Sequence, residues 1–151
     1  MNNTQKLQFT LNIIPPNSTA QSGKKLGTII NKKTGKAFTR MYKTKQSIEV
    51  EKCYYAVLYQ HRPQKMLTGP LKLEAKFYYP YRKSEKKSIV KAGKLVPKTT
   101  KSDCDNLSKQ FTDVLTKLGF MEDDALIFDL HIVKYWAPEG KIEVQLEAVE
   151  Q

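Results

Sequence analysis

The chain has 151 residues, of which 40% are hydrophobic and 27% are charged, and its formal net charge is +11. This length suits one domain, residues 1–151, and the composition suits a packed core rather than a disordered chain. No apolar run approaches the ~18 residues of a membrane span, and two cysteines are too few for a disulfide framework. Since the N-terminus is polar, we expect a cytoplasmic protein without a secretion signal.

The charge is distributed unevenly along the chain. Residues 1–101 hold 22 of the 26 basic residues but only four of the 15 acidic ones, so that this part carries +18. Residues 102–151 carry −7, and all six aspartates lie between Asp103 and Asp129. Such a positive field concentrates phosphates near a protein surface, so the charge predicts a polyanionic partner. A merely soluble basic protein is the alternative.

The first part of the chain predicts mostly β-structure. Residues 7–14 alternate between apolar and polar side chains, which predicts a half-buried strand that stops at Pro15-Pro16-Asn17. Residues 18–27 are polar and predict a loop. A weak hairpin is predicted next, with strands at Thr28–Asn31 and Lys36–Arg40.

An apolar stripe predicts the first helix over residues 44–61. Its members recur at helical spacing: Val50, Cys53, Tyr54, Val57 and Leu58. Cys53 lies within the stripe, so we expect it to be buried. Leu71 to Tyr79 then alternate strictly and predict the clearest strand of the chain.

Residues 81–102 show no periodicity and predict a long basic loop, with a short hairpin through Ala92-Gly93 as one alternative. Loops of this length are usually functional or disordered. We expect the loop to bind DNA phosphates through its eight basic residues, which are Arg82, Lys83, Lys86, Lys87, Lys91, Lys94, Lys98 and Lys101.

The last third predicts a helix and two strands. The helix runs from Asp105 to Leu118, with Asp103 or Asp105 as its cap and Gly119 after its last turn. Residues 125–135 have apolar residues on both faces and predict a central strand, and Ile142 to Ala148 predict a final strand. The order of elements predicts an α+β fold, a mixed sheet with two main helices packed on one face.

The aspartates form the most unusual pattern in the chain. Asp103 and Asp105 point to one side of an extended segment, while Asp105, Lys109 and Asp113 share one face of the predicted helix. Paired carboxylates suit Mg²⁺, and metal-assisted phosphodiester hydrolysis needs such ligands. The structural alternative also holds for each residue, because aspartates commonly cap helices or form turns. Phe120 is a candidate wedge between DNA strands, whereas Trp136 is expected to pack in the core or at an edge.

One stretch of about 22 residues resembles the signature of RusA-type Holliday junction resolvases, which are small phage and prophage endodeoxyribonucleases. The residues that carry this resemblance are Asp103-Cys104-Asp105-Asn106-Leu107-Ser108-Lys109, then Asp113, Leu115, Gly119-Phe120 and Asp123-Asp124. Weaker similarity extends to Ile14-Pro15-Pro16-Asn17 and to Lys134. Ser102 is a departure, since the family often has proline or a basic residue there.

The resemblance implies a RusA-like fold and specific roles for the aspartates. Asp103, Asp105 and Asp124 would be catalytic carboxylates that bind Mg²⁺, or Mn²⁺ in its place, with Asp123 as a further metal ligand. Lys109 would be the supporting catalytic base. The resemblance also implies a homodimer acting on four-way DNA junctions in a bacterial cell, with no small-molecule cofactor. A two-fold dimer matches the two symmetry-related strands of a junction.

Two other functions stay open at this point. A non-enzymatic DNA-binding protein would need the aspartates only as caps and turns. A phosphoesterase for a small substrate is disfavoured, because the chain has no glycine-rich phosphate loop and more lysines than a small ligand needs. The predicted helix is about 20 Å long, so Asp124 could hardly return to Asp105 within one chain. Either the helix ends early, or Asp124 meets Asp103 and Asp105 of a second subunit, and we favour the second arrangement.

Overall fold

A computed structural model of the protein describes residues 4–17, 24–43 and 45–150. The elements in chain order are β1 (Lys6–Leu11), β2 (Lys24–Ile30), β3 (Ala37–Lys43), α1 (Lys45–Tyr59), β4 (Leu71–Pro80), α2 (Lys87–Ala92), β5 (Val96–Pro97), α3 (Cys104–Lys117), a 3-10 turn (Asp124–Leu126), β6 (Ile127–Ala137) and β7 (Lys141–Ala148).

Five of the strands form one mixed sheet with the order β1-β7-β4-β6-β5. The β4–β6 pair is parallel, and the other neighbours are antiparallel. Strands β2 and β3 pair separately as an antiparallel hairpin. This arrangement confirms the predicted α+β fold with a mixed sheet.

The core lies between one face of this sheet and the two long helices. Alternation along β4 buries every second side chain from Leu71 to Tyr79 on the covered face. Tyr54 of α1 contacts Phe111 of α3 edge-on, with ring centroids 5.5 Å apart. Phe111 in turn meets Phe77 of β4 at 5.9 Å. Three fully buried aromatic rings therefore join both helices to the centre of the sheet.

Helix α3 follows its sequence pattern closely. Leu107, Phe111, Val114 and Leu115 are buried, as their helical spacing predicts. Gly119 has a φ of 79° in the left-handed region, which ends the helix as predicted. Asp103 occupies the N-cap position, but its side chain makes no capping hydrogen bond. Its carboxylate is therefore not explained by capping.

Several predictions about the first helix and the loops are wrong. Strand β2 already begins at Lys24, within the predicted loop 18–27, and residues 18–23 lie outside the described part. Ala92 and Gly93 end helix α2 rather than turn a hairpin, and Gly93 adopts a φ of 63° there. Cys53 is exposed, because Tyr54, Leu58 and Ser47 form the buried face of α1.

The strand predicted at 125–135 lies inside the sheet order, between β4 and β5, but only one of its two edges is paired along its length. Strand β6 pairs with β4 along its whole length on one side. On its other side it has only the two-residue strand β5, opposite Tyr135 and Trp136. The apolar side chains of this strand are therefore not all buried. Phe128 and Leu130 are exposed to solvent.

No helix in the described ranges has the length and apolar character that a bilayer crossing requires.

We predict that Phe111→Ala strongly destabilises the protein, because it removes the ring that joins α1, α3 and β4. The expected loss in free energy of unfolding is about 3–5 kcal/mol, the usual cost of removing a buried phenylalanine side chain. Val90→Ala on the exposed surface of α2 is the control, with an expected change within about 0.5 kcal/mol. Urea denaturation followed by circular dichroism measures both, and equal losses would contradict this account of the core.

Candidate active site

The first acidic pair lies at the N-terminal end of α3. Asp103 is extended, with φ −71° and ψ 148°, and Asp105 follows in the first helical turn. Both side chains are exposed. The unpaired N–H groups of a helix start make a favourable electrostatic environment for negative charge. Two carboxylates are thus presented to solvent on a rigid element.

Two lysines hold the segment that leads into Asp103. The Lys134 ammonium donates to the carbonyl oxygens of Thr100 at 2.6 Å and Ser102 at 2.7 Å. The Lys98 ammonium donates to the Thr100 carbonyl at 3.2 Å, to the Thr100 hydroxyl at 3.1 Å and to the Lys101 carbonyl. Backbone carbonyls without strand partners are therefore bound by charged donors, which form the stronger class of hydrogen bond.

Lys98 is almost completely withdrawn from solvent, with 4% of its surface exposed. Its ammonium lies 4.7 Å from the ring centre of Tyr79 and 5.0 Å from that of Trp136. Desolvation, with a smaller contribution from the nearby Lys134 charge, lowers the Lys98 pKa below its ordinary value. The prediction that Lys98 belongs to an exposed DNA-binding loop is wrong, because its ammonium faces aromatic rings and carbonyls of the chain itself.

Ser102 connects this segment to the loop after β1. It is fully buried, and its hydroxyl donates to the carbonyl oxygen of Asn17. The Tyr79 hydroxyl donates to the carbonyl of Pro16, the preceding residue, at 3.0 Å. The proline-rich loop is thereby fixed against the start of α3. The departure from the family pattern at Ser102 has a local structural role.

The second acidic pair lies in the 3-10 turn that follows α3. The Asp123 carboxylate accepts a hydrogen bond from the Ala125 backbone N–H at 2.8 Å, which stabilises the turn. Partial desolvation, a hydrogen bond with Asp123 and the negative charges of Asp123 and Asp113 all raise the pKa of Asp124. Asp113, Asp123 and Asp124 therefore form one acidic neighbourhood.

The structure does not bring the two acidic pairs together within one chain. Helix α3 keeps its full 14 residues, so Asp105 and Asp113 stand about 12 Å apart along its axis. Asp124 is close enough to Asp113 to feel its charge. Among the described residues, no group of three or more His, Cys, Asp or Glu side chains is placed to hold a metal ion.

Lys109 stands on the exposed face of α3, one turn beyond Asp105. Within the described part of the chain its ammonium forms no ion pair, either with Asp105 or with Asp113. It is available to contact a bound anion.

The basic segment contains a helix that sequence periodicity missed. Lys83, Lys86, Lys87, Lys91, Lys94 and Lys101 are all exposed. Arg82 instead pairs with Glu85 at 3.2 Å and lies over the Trp136 ring at 5.1 Å. The Tyr81 hydroxyl donates to the Lys94 carbonyl, and this hydrogen bond links the two ends of residues 81–94. Six lysines are thus displayed on a segment anchored near the start of α3.

The structure contradicts the prediction for one aromatic side chain and confirms the prediction for another. Phe120 is fully buried and lies 6.0 Å from the Phe9 ring, so the prediction of a DNA wedge is wrong. Trp136 packs edge-on against Tyr79 at 6.1 Å, which confirms its packing role. Sequence reasoning missed the contacts of Tyr79 and Ser102 with the loop after β1. Residue type offered no signal for them, because they depend on tertiary neighbours.

We predict that Lys98→Met lowers the free energy of unfolding by about 1–3 kcal/mol, because it leaves carbonyls of residues 100–101 without their buried donor. Lys94→Met is the matched control, since its side chain is exposed and its expected change lies within about 0.5 kcal/mol. Thermal and urea denaturation compare the two variants. Similar small effects would show that the ammonium contributes nothing to this segment.

Comparison with known proteins relates this arrangement to a nuclease family. The model of the family described as "Endodeoxyribonuclease RusA" matches residues 14–147. The chain is also 38% identical over 95 residues to "Uncharacterized protein YqaN" of Bacillus subtilis (strain 168). That similarity covers 60% of this chain and 66% of the relative, a little under two thirds of its length. Because the family match spans most of the chain, including both acidic pairs and the basic segment, the chain belongs to the RusA endodeoxyribonuclease family.

Proposed function

We propose that the protein is a Mg²⁺-dependent endodeoxyribonuclease that resolves four-way DNA junctions as a homodimer. The observation that carries this proposal is the two acidic pairs, one at the start of α3 and one in the 3-10 turn near Asp113, within a family match that covers both. We further propose that residues 1–151 act as one domain and that the enzyme works on phage or prophage DNA in the bacterial cytoplasm.

The donor set suits a hard divalent cation. Asp103, Asp105, Asp123 and Asp124 offer only carboxylate oxygens, the ligands that Mg²⁺ and Mn²⁺ accept. When bound, such a cation supplies activation of water and charge stabilisation at the scissile phosphate. Desolvation, and after it the neighbouring Asp123 and Asp113, raise the pKa of Asp124, so a cation there would relieve the part of this effect that is repulsion between carboxylates.

A second subunit completes the site in this proposal. Within one chain the described carboxylates form no three-ligand group, and Asp113, whose charge acts on Asp124, stands about 12 Å from Asp105 along α3. Asp123 and Asp124 of one subunit would therefore stand against Asp103 and Asp105 of the other. A two-fold dimer built this way contains two equivalent sites, one for each of the opposed strands of a junction.

The exposed lysines near the acidic residues would contact the DNA phosphates in this proposal. Lys109 lies one turn beyond Asp105 on the exposed side of α3, where its ammonium can neutralise the phosphate under attack. The six exposed lysines of residues 83–101 would bind the DNA backbone without reading its sequence. Lys98 takes no part in this contact, and Arg82 is already engaged by Glu85.

The direct test is cleavage of a labelled four-way junction and of linear duplex, with and without Mg²⁺. We predict that Asp103→Asn, Asp105→Asn and Asp124→Asn each reduce junction cleavage by about 10²-fold or more, the order seen when one transition-state stabilising group is removed. Binding should persist or tighten, because each change removes a negative charge facing phosphates.

Glu139→Gln, which changes an exposed carboxylate in the β6–β7 turn, is the matched control and should cleave normally. Full cleavage by Asp105→Asn would disprove the assigned site. Junction binding without cleavage by the wild type, under several divalent metals, would favour a non-enzymatic DNA-binding protein.

Mixed dimers test whether the site is shared between subunits. We predict that Asp105→Asn and Asp124→Asn chains, each inactive alone, regain activity when mixed, because one site of the heterodimer then carries both changes and the other carries none. A random equal mixture should contain about a quarter of the wild-type number of intact sites. If each chain held its own complete site, no activity would return.

Salt dependence tests the basic segment. We predict that replacing Lys86, Lys87, Lys91 and Lys94 by Gln weakens binding to every DNA shape. The slope of log affinity against log salt concentration should fall by roughly 0.9 for each duplex phosphate that the variant no longer neutralises. Replacing four exposed lysines elsewhere, Lys32, Lys33, Lys36 and Lys65, gives a control of equal net charge. Equal slopes for the two variants would rule out a specific role for the segment.

A further inference from the structure

A cavity lies between the loop after β1 and the first half of α1. Its volume is about 220 Å³, and its apolar lining comes from Ile14, Pro16, Val50 and the ring of Tyr54. An engineered apolar cavity of about 150 Å³ already accommodates benzene, so this one has room for a planar ring with substituents. None of the aspartates in the described part of the chain belongs to its lining, so the cavity is distinct from the acidic pairs.

An unused hydrogen-bond donor belongs to the wall of this cavity. Tyr54 is fully buried, and its hydroxyl has no hydrogen-bond partner among the residues that the structure describes. Desolvation, and after it the nearby Tyr79 and Cys53, raise the Tyr54 pKa, so the phenol stays protonated and can donate. A buried polar group without a partner is unfavourable for the folded chain. A ligand that presents an acceptor atom to this hydroxyl would remove that cost.

Exposed polar side chains stand at the opening of the cavity. Gln46 and Glu49 are both exposed and belong to the lining. The Glu49 carboxylate accepts hydrogen bonds from amino and ring N–H groups, but its charge repels a phosphate. The cavity therefore favours an uncharged ring with an acceptor at one edge and a donor at another. Nucleobases are rings of this kind.

Tyr79 connects the cavity to the start of α3. Its hydroxyl donates to the carbonyl of Pro16 at 3.0 Å, and Pro16 forms one wall of the cavity. Burial, and after it the nearby Cys104, raise the pKa of Tyr79. Cys104 is the residue between the carboxylates Asp103 and Asp105. A DNA strand whose phosphate lies at that acidic pair can therefore extend a neighbouring base to the cavity.

We propose that this cavity is a subsite for one unpaired base of the DNA strand that is cut, with the Tyr54 hydroxyl as its hydrogen-bond donor. The base would leave the stack and enter between aliphatic walls, while Glu49 at the opening keeps the sugar-phosphate backbone outside. Extrusion costs least for a base whose pairing is already disturbed, as it is where the strands of a junction exchange. The proposal rests on the junction-cleaving function above and adds a means of selecting branched over linear DNA.

Fluorescence of 2-aminopurine tests base capture without reference to cleavage. Junctions that carry a single 2-aminopurine at successive positions around the exchange point are mixed with the protein in the absence of divalent metal. Stacking quenches this base, so we expect a several-fold rise at one position in each of two opposed strands, where the base moves between aliphatic side chains. No rise at any position, or an equal rise at all positions, would overturn the proposal.

Two tryptophan substitutions separate the cavity from its surroundings. Val50→Trp fills the cavity and should abolish the rise at the responsive position. Ile48→Trp changes an exposed aliphatic residue of α1 outside the lining and should retain the rise. Circular dichroism checks that both variants fold. A rise that survives Val50→Trp would show that the base unstacks elsewhere and would overturn the subsite.

Tyr54→Phe removes only the unpartnered hydroxyl. Its melting temperature should not fall, because this hydroxyl makes no hydrogen bond within the described part of the free chain. Its affinity for the responsive junction should fall by about 3- to 10-fold, the usual worth of one hydrogen bond. Tyr59→Phe, at an exposed position of the same helix, is the matched control and should change neither quantity. A lower melting temperature with unchanged affinity would assign the hydroxyl a purely structural role and overturn the proposal.

The subsite and the nuclease function can fail separately. Junction cleavage without any fluorescence rise that depends on Val50 would leave the nuclease function intact and overturn the subsite. A position-specific rise, abolished by Val50→Trp, in a protein that cleaves no junction would support the subsite and overturn the nuclease function.

Discussion

The candidate site depends on hydrogen bonds that two lysine ammonium groups donate to the backbone carbonyls of residues 100–102. Lys134 comes from the sheet and Lys98 from the segment after β5, and both donate to backbone carbonyls just before Asp103. Helix α3 therefore starts at a fixed place relative to β6. Tyr79 and Trp136 shield Lys98 from water, which strengthens its hydrogen bonds while lowering its pKa. The start of α3 that carries Asp103 and Asp105 is thus positioned by a buried ammonium, and the Asp103 side chain makes no capping hydrogen bond there.

The positions of the lysines and aspartates in the structure account for the charge pattern of the chain. Exposed lysines surround a short acidic region, so the field attracts DNA while the aspartates oppose its phosphates locally. Desolvation, together with repulsion from Asp123 and Asp113, raises the pKa of Asp124. A bound cation, or the Lys109 ammonium next to a bound phosphate, would offset this repulsion between the aspartates and the DNA phosphates. The acidic region is thus costly for DNA binding alone, which supports a chemical role for it.

The sequence predicted those features that depend on local patterns. Helical spacing located α3 and its buried stripe, alternation located β4 and β7, and Gly119 marked the end of α3. Features decided by tertiary neighbours were missed. Cys53 lies in an apolar stripe but is exposed, since the pattern cannot tell the centre of a helix face from its margin. Lys98 resembles its basic neighbours in sequence, and only the folded positions of Tyr79 and Trp136 show that it is buried.

Strand β6 lies between β4 and β5, but its surroundings differ from those that its apolar sequence indicates. A strand with apolar residues on both faces is ordinarily central, because burial on both sides is what such residues require. In this chain the sheet supplies only one neighbour along residues 127–133, and Phe128 and Leu130 stay exposed. The sequence pattern therefore describes an environment that one chain does not provide. The acidic residues show a related separation, because Asp113, whose charge acts on Asp124, stands about 12 Å from Asp105 along α3, and the described carboxylates form no three-ligand group.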